Sequence, residues 1–170
     1  FLAHHDSLTG LANRFSLEAV LPQSIALARR QGSKVAVLFV DLDRFKEVND
    51  TFGHATGDEV LIETGRRLSR AIRDSDFLAR IGGDEFVVLL NEINSVDDAA
   101  LVASTIREAL HGPIHTGSSS LVVTPSIGIS LFPEDGEEAD SLLAHADAAM
   151  YRVKTDGRDN LRFYSARENP

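Results

Sequence analysis

Residues 77–90 read Phe77-Leu78-Ala79-Arg80-Ile81-Gly82-Gly83-Asp84-Glu85-Phe86-Val87-Val88-Leu89-Leu90. Two apolar runs of strand formers flank a Gly-Gly turn, the signal of a β-hairpin. Helical patterns stand on either side of it. A hairpin set between helices implies a mixed or mainly antiparallel sheet covered by helices. It does not fit the strict strand–helix alternation of a doubly wound fold, and no G-x-G-x-x-G or Walker A motif is present.

Upstream, Val35-Ala36-Val37-Leu38-Phe39-Val40 is a continuous apolar run, read as a buried central strand. It stops at Asp41, so a carboxylate marks the point where a core strand runs out. Before it, Arg14 to Gln31 reads as helical, with Leu17, Val20, Leu21, Ile25 and Ala28 in one stripe. Pro22 falls inside this pattern and predicts a kink or two short helices. A second helix is expected from Gly57 to Ile72.

Downstream, Ser95 with Asp98 is a capping-box pattern opening a helix to Leu110. Leu121 to Phe132 reads as one long strand, with a bulge or unpaired position at Pro125. Ala139 to Lys154 is helical, and Leu161 to Tyr164 reads as a last short strand. The predicted order is α-β-α-β-β-α-β-α-β.

The 170 residues suit one domain and its core. Hydrophobic content of 43% and charged content of 25% are ordinary for a globular protein. No apolar run approaches the roughly 20 residues that span a bilayer, and no signal peptide shows. The opening at Phe1 reads as a fragment of a longer protein. Cysteine is absent, which excludes disulfides, thiolate zinc sites and a cysteine nucleophile. It suits a cytoplasmic placement. A formal charge of −9 argues against a nucleic-acid partner but not against a nucleotide met by a few placed cations.

Asp41 and Asp43 are two apart and share a face if the strand continues. The hairpin tip adds Asp84 and Glu85. If the two strands are neighbours, Asp41 and Asp84 converge at one end of the sheet. Converging carboxylates favour a hard divalent cation, and magnesium keeps sites for phosphate oxygens. On spacing alone, ordinary acidic turn residues account for the pattern equally well. Gly82 and Gly83 allow positive φ and leave room for a ligand, or simply make a tight turn.

The longer strings are more specific. Ile81-Gly82-Gly83-Asp84-Glu85-Phe86 carries the signature that names the GGDEF family. Asp6-Ser7-Leu8-Thr9-Gly10-Leu11-Ala12-Asn13-Arg14 resembles that family's opening turn. Asp41 to Asp50 resembles its D-x-D-x-F-K-x-x-N-D segment, and Gly53-His54-Ala55-Thr56-Gly57-Asp58 its G-H-x-x-G-D. Ser126 to Ile129 and Ala148 to Asn160 resemble its later blocks. The chain is thus similar to GGDEF-family diguanylate cyclases from Asp6 to about Asn160, with residues 1–170 read as a single catalytic domain.

The resemblance implies an α/β fold of the α+β type, with a mainly antiparallel five-stranded sheet wrapped by helices, like nucleotide cyclases and polymerase palm domains. It implies joining of two GTP molecules into cyclic di-GMP, with magnesium, or alternatively manganese, as cofactor. Asp41, Asp84 and the Leu42 carbonyl would hold the metal. Glu85 would be a second metal contact or position the attacking hydroxyl, and Asp84 has been cast as general base. Asn49 and Asp58 would read the guanine edge, with His54 and Phe45 in the same pocket and Gly82 and Gly83 at the substrate. Lys46, Lys154 and Arg158 would meet the triphosphate. Two copies would face each other as a homodimer, beneath an upstream sensor domain.

Arg73-Asp74-Ser75-Asp76 matches the family's R-x-x-D inhibitory site, with five residues between Asp76 and Gly82. Arg73 and Asp76 would bind the cyclic product. An Arg–Asp surface pair after a helix is the plain alternative.

Other polar residues are given no chemical role. His4, His5 and Asp6 adjoin the opening turn. His111, His115 and His145 are read as surface or capping residues, and Ser118 to Ser120 as a loop. Asp43 and Asp50 are read as local hydrogen-bonding groups. The acidic run Glu134 to Asp140 is read as a solvated loop. The competing functions are a silent module that binds GTP or cyclic di-GMP, and a bare interaction module.

Overall fold

The computed structural model describes residues 3–117 and 119–165, so Ser118 lies outside it. Among these residues the order is α1 (Arg14–Gln31), β1 (Lys34–Leu42), α2 (Phe45–Phe52), α3 (His54–Ala71), β2 (Phe77–Gly82), β3 (Glu85–Ile93), α4 (Val96–Leu110), β4 (Ile114–His115), β5 (Ser120–Leu121), β6 (Pro125–Phe132), α5 (Ala139–Thr155) and β7 (Asn160–Phe163). The main sheet has five strands in the order β2-β3-β1-β6-β7. Strand β1 pairs antiparallel with both β3 and β6, while β7 lies parallel to β6. The fold is therefore mixed α/β with a mostly antiparallel five-stranded sheet, as the hairpin implies. No described helix is long and apolar enough to cross a membrane.

Strand β1 has neighbours on both edges and helices on both faces, which is why it reads as an unbroken apolar run. Ala36, Leu38, Val40 and Leu42 join a core with α2, α3 and α4. Val35, Val37 and Phe39 join a second core with α1 and α5. Strand parity then carries Asp41 and Asp43 onto the α1–α5 side.

Helix α1 runs unbroken through Pro22, contrary to the expected break. Leu17, Leu21, Ile25 and Ala28 on both sides of the proline are buried against the sheet. Each large apolar side chain buried contributes about 2 kcal/mol, together more than the roughly 3 kcal/mol an internal proline costs.

Helix α2 has no counterpart in the sequence reading. Its eight residues are too few for a helical period to stand out, and Phe45 and Val48 anchor it to the core. Gly53, at φ 91°, separates it from α3, which begins at His54 rather than Gly57. Gly57 is not a boundary. It lies inside α3, where a Cβ would overlap the Asn49 side chain and press on Phe45.

The expected strand from 121 to 132 divides. Leu121 belongs to a small ribbon with β4, and β6 begins at Pro125. The β1–β6 register is continuous from Val35↔Phe132 to Leu42↔Pro125, so the bulge is absent. A proline is tolerated as the first residue of a strand. Gly128 lets α5 lie directly on β6, since a Cβ there would collide with the Ala146 carbonyl and the Met150 amide. The capping box at Ser95 and Asp98 forms as expected.

Two residues set aside in the sequence have definite roles in the packing. Asp135 is buried and accepts a bond from the Leu131 amide at 2.8 Å, so the acidic run is not wholly solvated. His111 bonds Asp159 and is no isolated surface group.

Candidate active site

The β2–β3 turn folds back onto the end of β1. The Leu42 amide donates to the Asp84 carbonyl at 3.3 Å. Asp41 and Glu85 are direct cross-strand partners. Asp84's carboxyl lies in hydrogen-bonding range of Asp41. Burial, and then Asp84, push the Asp41 carboxyl up to about 7, against the pull of Lys154.

Lys154 comes from the last turn of α5, held close by the Gly128 contact. Its Nζ stands 3.0 Å from Asp41 Oδ1, 3.3 Å from Asp43 Oδ1 and 3.3 Å from the Leu42 carbonyl. The ammonium thus rests on the acidic group instead of standing clear in the cavity, as the triphosphate role suggests. Asp43 is 5% exposed and well satisfied. It accepts Thr124 Oγ1 and Ser126 Oγ at 2.6 Å each, and the Asp159 amide at 2.9 Å. It ties together the ends of β1, β6 and α5.

The oxygen set fits a hard divalent cation. Asp41 and Asp84 bring like charges together, Leu42 adds a carbonyl, and a lysine cation already sits among them. Among the described residues no group of three or more His, Cys, Asp or Glu side chains is placed to hold an ion. A metal here would rest on Asp41, Asp84 and the Leu42 carbonyl, with Glu85 beside Asp41 on the neighbouring strand.

Glu85 is raised by burial first, then by Asp147 and Asp84, while Arg14 and Lys154 oppose the shift. Asp147 on α5 is itself raised by burial, with Arg14 opposing. The sequence reading missed both neighbours, because Arg14 opens α1 and Asp147 lies midway along α5, each distant in sequence from Glu85. Arg80 was missed as well. It donates to the Gly83 carbonyl at 2.9 Å and 2.7 Å and pairs with Asp6 at 2.8 Å. Asp6 is desolvated, yet bonds from Thr9 and Arg80 hold it below its usual range. The opening turn thereby braces the hairpin tip.

An open cavity of about 360 Å³ lies over the carboxylates. Asp41, Leu42, Phe45, Lys46, Asp84, Lys154 and Arg158 line it, with Arg44, Met150 and Tyr151, which sequence reasoning did not select. Tyr151 is 67% exposed, an unusual setting for an aromatic ring and the signal that marks it. Gly82 and Gly83 have open space where a Cβ would stand, and Gly83 adopts φ 36°. Asn49, His54 and Asp58 do not line this cavity. Asn49 sits within α2 against Gly57, and His54 and Asp58 sit in the first turns of α3.

Arg73 and Asp76 bind each other. Asp76 Oδ2 accepts the Arg73 amide at 3.0 Å and Nε at 3.2 Å. Its Oδ1 accepts Arg73 Nη2 at 2.9 Å and the Asn91 amide at 3.1 Å. Four donors fill the carboxylate, whose side chain is 1% exposed against 55% for Arg73. Arg73 is open to a ligand, whereas Asp76 becomes so only if this pair opens.

Three comparisons bear on this geometry. The family model described as "Diguanylate cyclase, GGDEF domain" matches residues 3–160. Diguanylate cyclase TpbB of Pseudomonas aeruginosa is 45% identical over 161 residues, covering 94% of this chain and 37% of TpbB. The solved structure of a TpbB variant comprising only the GGDEF domain superposes with TM-score 0.94 at 42% identity, covering 97% of this chain and 96% of that one. The GGDEF domain of DgcB from Caulobacter crescentus, solved in complex with c-di-GMP, gives TM-score 0.87 at 30% identity over 95% of this chain and 96% of that one. The chain spans 20%, 21% and 37% of the length of three curated relatives that it matches.

Proposed function

The chain belongs to the diguanylate cyclase GGDEF domain family, and from that premise we propose that it condenses two GTP molecules into cyclic di-GMP with release of two pyrophosphates. The observation that carries this reading is the convergence of Asp41, Asp84 and the Leu42 carbonyl beneath a cation at the mouth of the cavity.

The 3′-oxygen of one GTP attacks the α-phosphorus of the other. The bond to the bridging oxygen breaks in line, and pyrophosphate departs. Asp41, Asp84 and Leu42 hold magnesium or manganese, which when bound neutralises phosphate charge and acidifies the hydroxyl. Glu85, the carboxylate outside that pair, positions the 3′-hydroxyl and takes its proton. Its desolvated setting makes it a better base than an exposed glutamate. Lys46, Lys154 and Arg158 meet the triphosphate as point charges and a planar fork. Asn49 and Asp58 select guanine, because adenine lacks the paired N–H donors that a carboxylate accepts. Phe45 and His54 border the base, and Gly82 and Gly83 leave room for it.

One GTP per domain makes the reaction a two-copy event with two-fold symmetry. Cyclic di-GMP bound at Arg73 and Asp76 slows it. The domain works in the cytoplasm, where GTP is available, under a sensor domain of the same chain.

The test is incubation with GTP and magnesium across a range of protein concentrations. Cyclic di-GMP and pyrophosphate should form, with specific activity rising as the domains pair. Nucleotide binding without product would replace the cyclase with a regulatory module. Constant specific activity down to monomeric solutions would remove the symmetric mechanism.

A further inference from the structure

The turn after α5 is conformationally costly. Gly157, Arg158 and Asp159 have φ of 117°, 63° and 49°, so two consecutive non-glycine residues are left-handed. Side chains with a Cβ resist that region by about 1–2 kcal/mol per residue. Something must hold the turn in place, and Asp159 has the contacts to do so. Its Oδ1 accepts Arg107 Nε at 3.1 Å and bonds His111 Nε2 at 2.5 Å. Its carbonyl also accepts Arg107 Nε at 3.1 Å. Its amide donates to Asp43, the buried carboxylate that Lys154 also touches.

Arg107 and His111 are four apart, one on the last turn of α4 and the other its C-cap, so they meet Asp159 together. Helix α4 packs on the sheet face away from α5, yet it grips the residue next to Arg158, which lines the cavity. We infer that Asp159, clamped by Arg107 and His111 of α4, is a positioning residue that holds Arg158 at the substrate phosphates. This rests on the cyclase reading for the identity of those phosphates, but the clamp can be tested without turnover.

The probe is inorganic tripolyphosphate, with guanosine as the control, titrated calorimetrically into the whole chain. Asp159→Ala and the Arg107→Ala/His111→Ala pair should each weaken tripolyphosphate about tenfold, the loss of one charge-assisted contact, and leave guanosine unchanged. Asp159→Asn keeps an acceptor oxygen and should restore affinity to within about threefold. Asp159→Gly removes the backbone cost but also the clamp, so it should recover melting temperature and not affinity. Wild-type affinity in Asp159→Ala, or full rescue by glycine, would reduce the clamp to a fold-stabilising contact. Equal loss of guanosine would show a general collapse of the site and overturn the inference. A wild type that binds tripolyphosphate through the clamp but makes no cyclic di-GMP would remove the cyclase reading and leave this one standing. Failure of the wild type to bind tripolyphosphate would end it.

Discussion

Replacing Asp84 with asparagine should stabilise the metal-free protein while abolishing its activity. In the fold Asp41 keeps its proton up to about 7, against an ordinary carboxyl value of 3.8. Folding therefore takes up a proton between these pH values, and stability falls as pH rises through them. The interval is about 3 units, or about 4 kcal/mol at about 1.36 kcal/mol per unit. Burial is the largest cause and survives in Asp84→Asn. The hydrogen bond with Asp84 comes second and repulsion from its charge third, and water at the open cavity screens the repulsion. About 1–2 kcal/mol remains, or about 3–6 °C in melting temperature for a chain of this size. The assay is thermal melting in EDTA at pH 8 and pH 5. The variant should melt higher at pH 8. At pH 5 the wild type already holds the proton, so the two should melt nearly together. Adding magnesium at pH 8 should raise the wild type and leave the variant unmoved. Equal gains at both pH values, or a loss at pH 8, would refute the claim that Asp41 and Asp84 repel across the site.

Two further substitutions test other parts. Arg73→Ala removes two of the four donors to the buried Asp76 carboxylate, Nε and Nη2, and leaves the backbone amides of residues 73 and 91. It should cost about 1–3 kcal/mol in urea unfolding and relieve inhibition by cyclic di-GMP. Inhibition equal to wild type would sink the product-site assignment. Gly128→Ala drives a methyl into the α5 backbone and should cost about 3 kcal/mol. Catalysis should fall with it, because Lys154 moves with the helix. Wild-type melting would show that α5 can shift at no cost.

The hairpin, the central strand and the α5 stripe were legible because each expresses one short-range rule, a turn dipeptide, an apolar run or a 3.6 period. Asp41 and Asp84 could be brought together on paper because each ends or joins such an element. Helix α2 could not be read, because its stability comes from Phe45 and Val48 in the core rather than from its own eight residues. Pro22 and Gly57 misled for the opposite reason. Both act locally as helix breakers, and tertiary contacts overrule them. The grip of Lys154 on Asp41, and the partners Asp147, Arg80 and His111, depend on residues distant in sequence. Their charges alone did not single them out from the chain's other ionisable groups.

The end of the sheet proposed to meet nucleotide is shared between its two faces. Asn49 and Asp58 hang from the α2–α3 layer, while Glu85, Asp147 and Lys154 belong to the α5 layer. Two cores separated by the sheet thus support two sets of residues. Under the proposed function, repacking one layer would alter base preference while the reacting groups keep their scaffold, and changes in the other would alter reactivity without loss of selectivity.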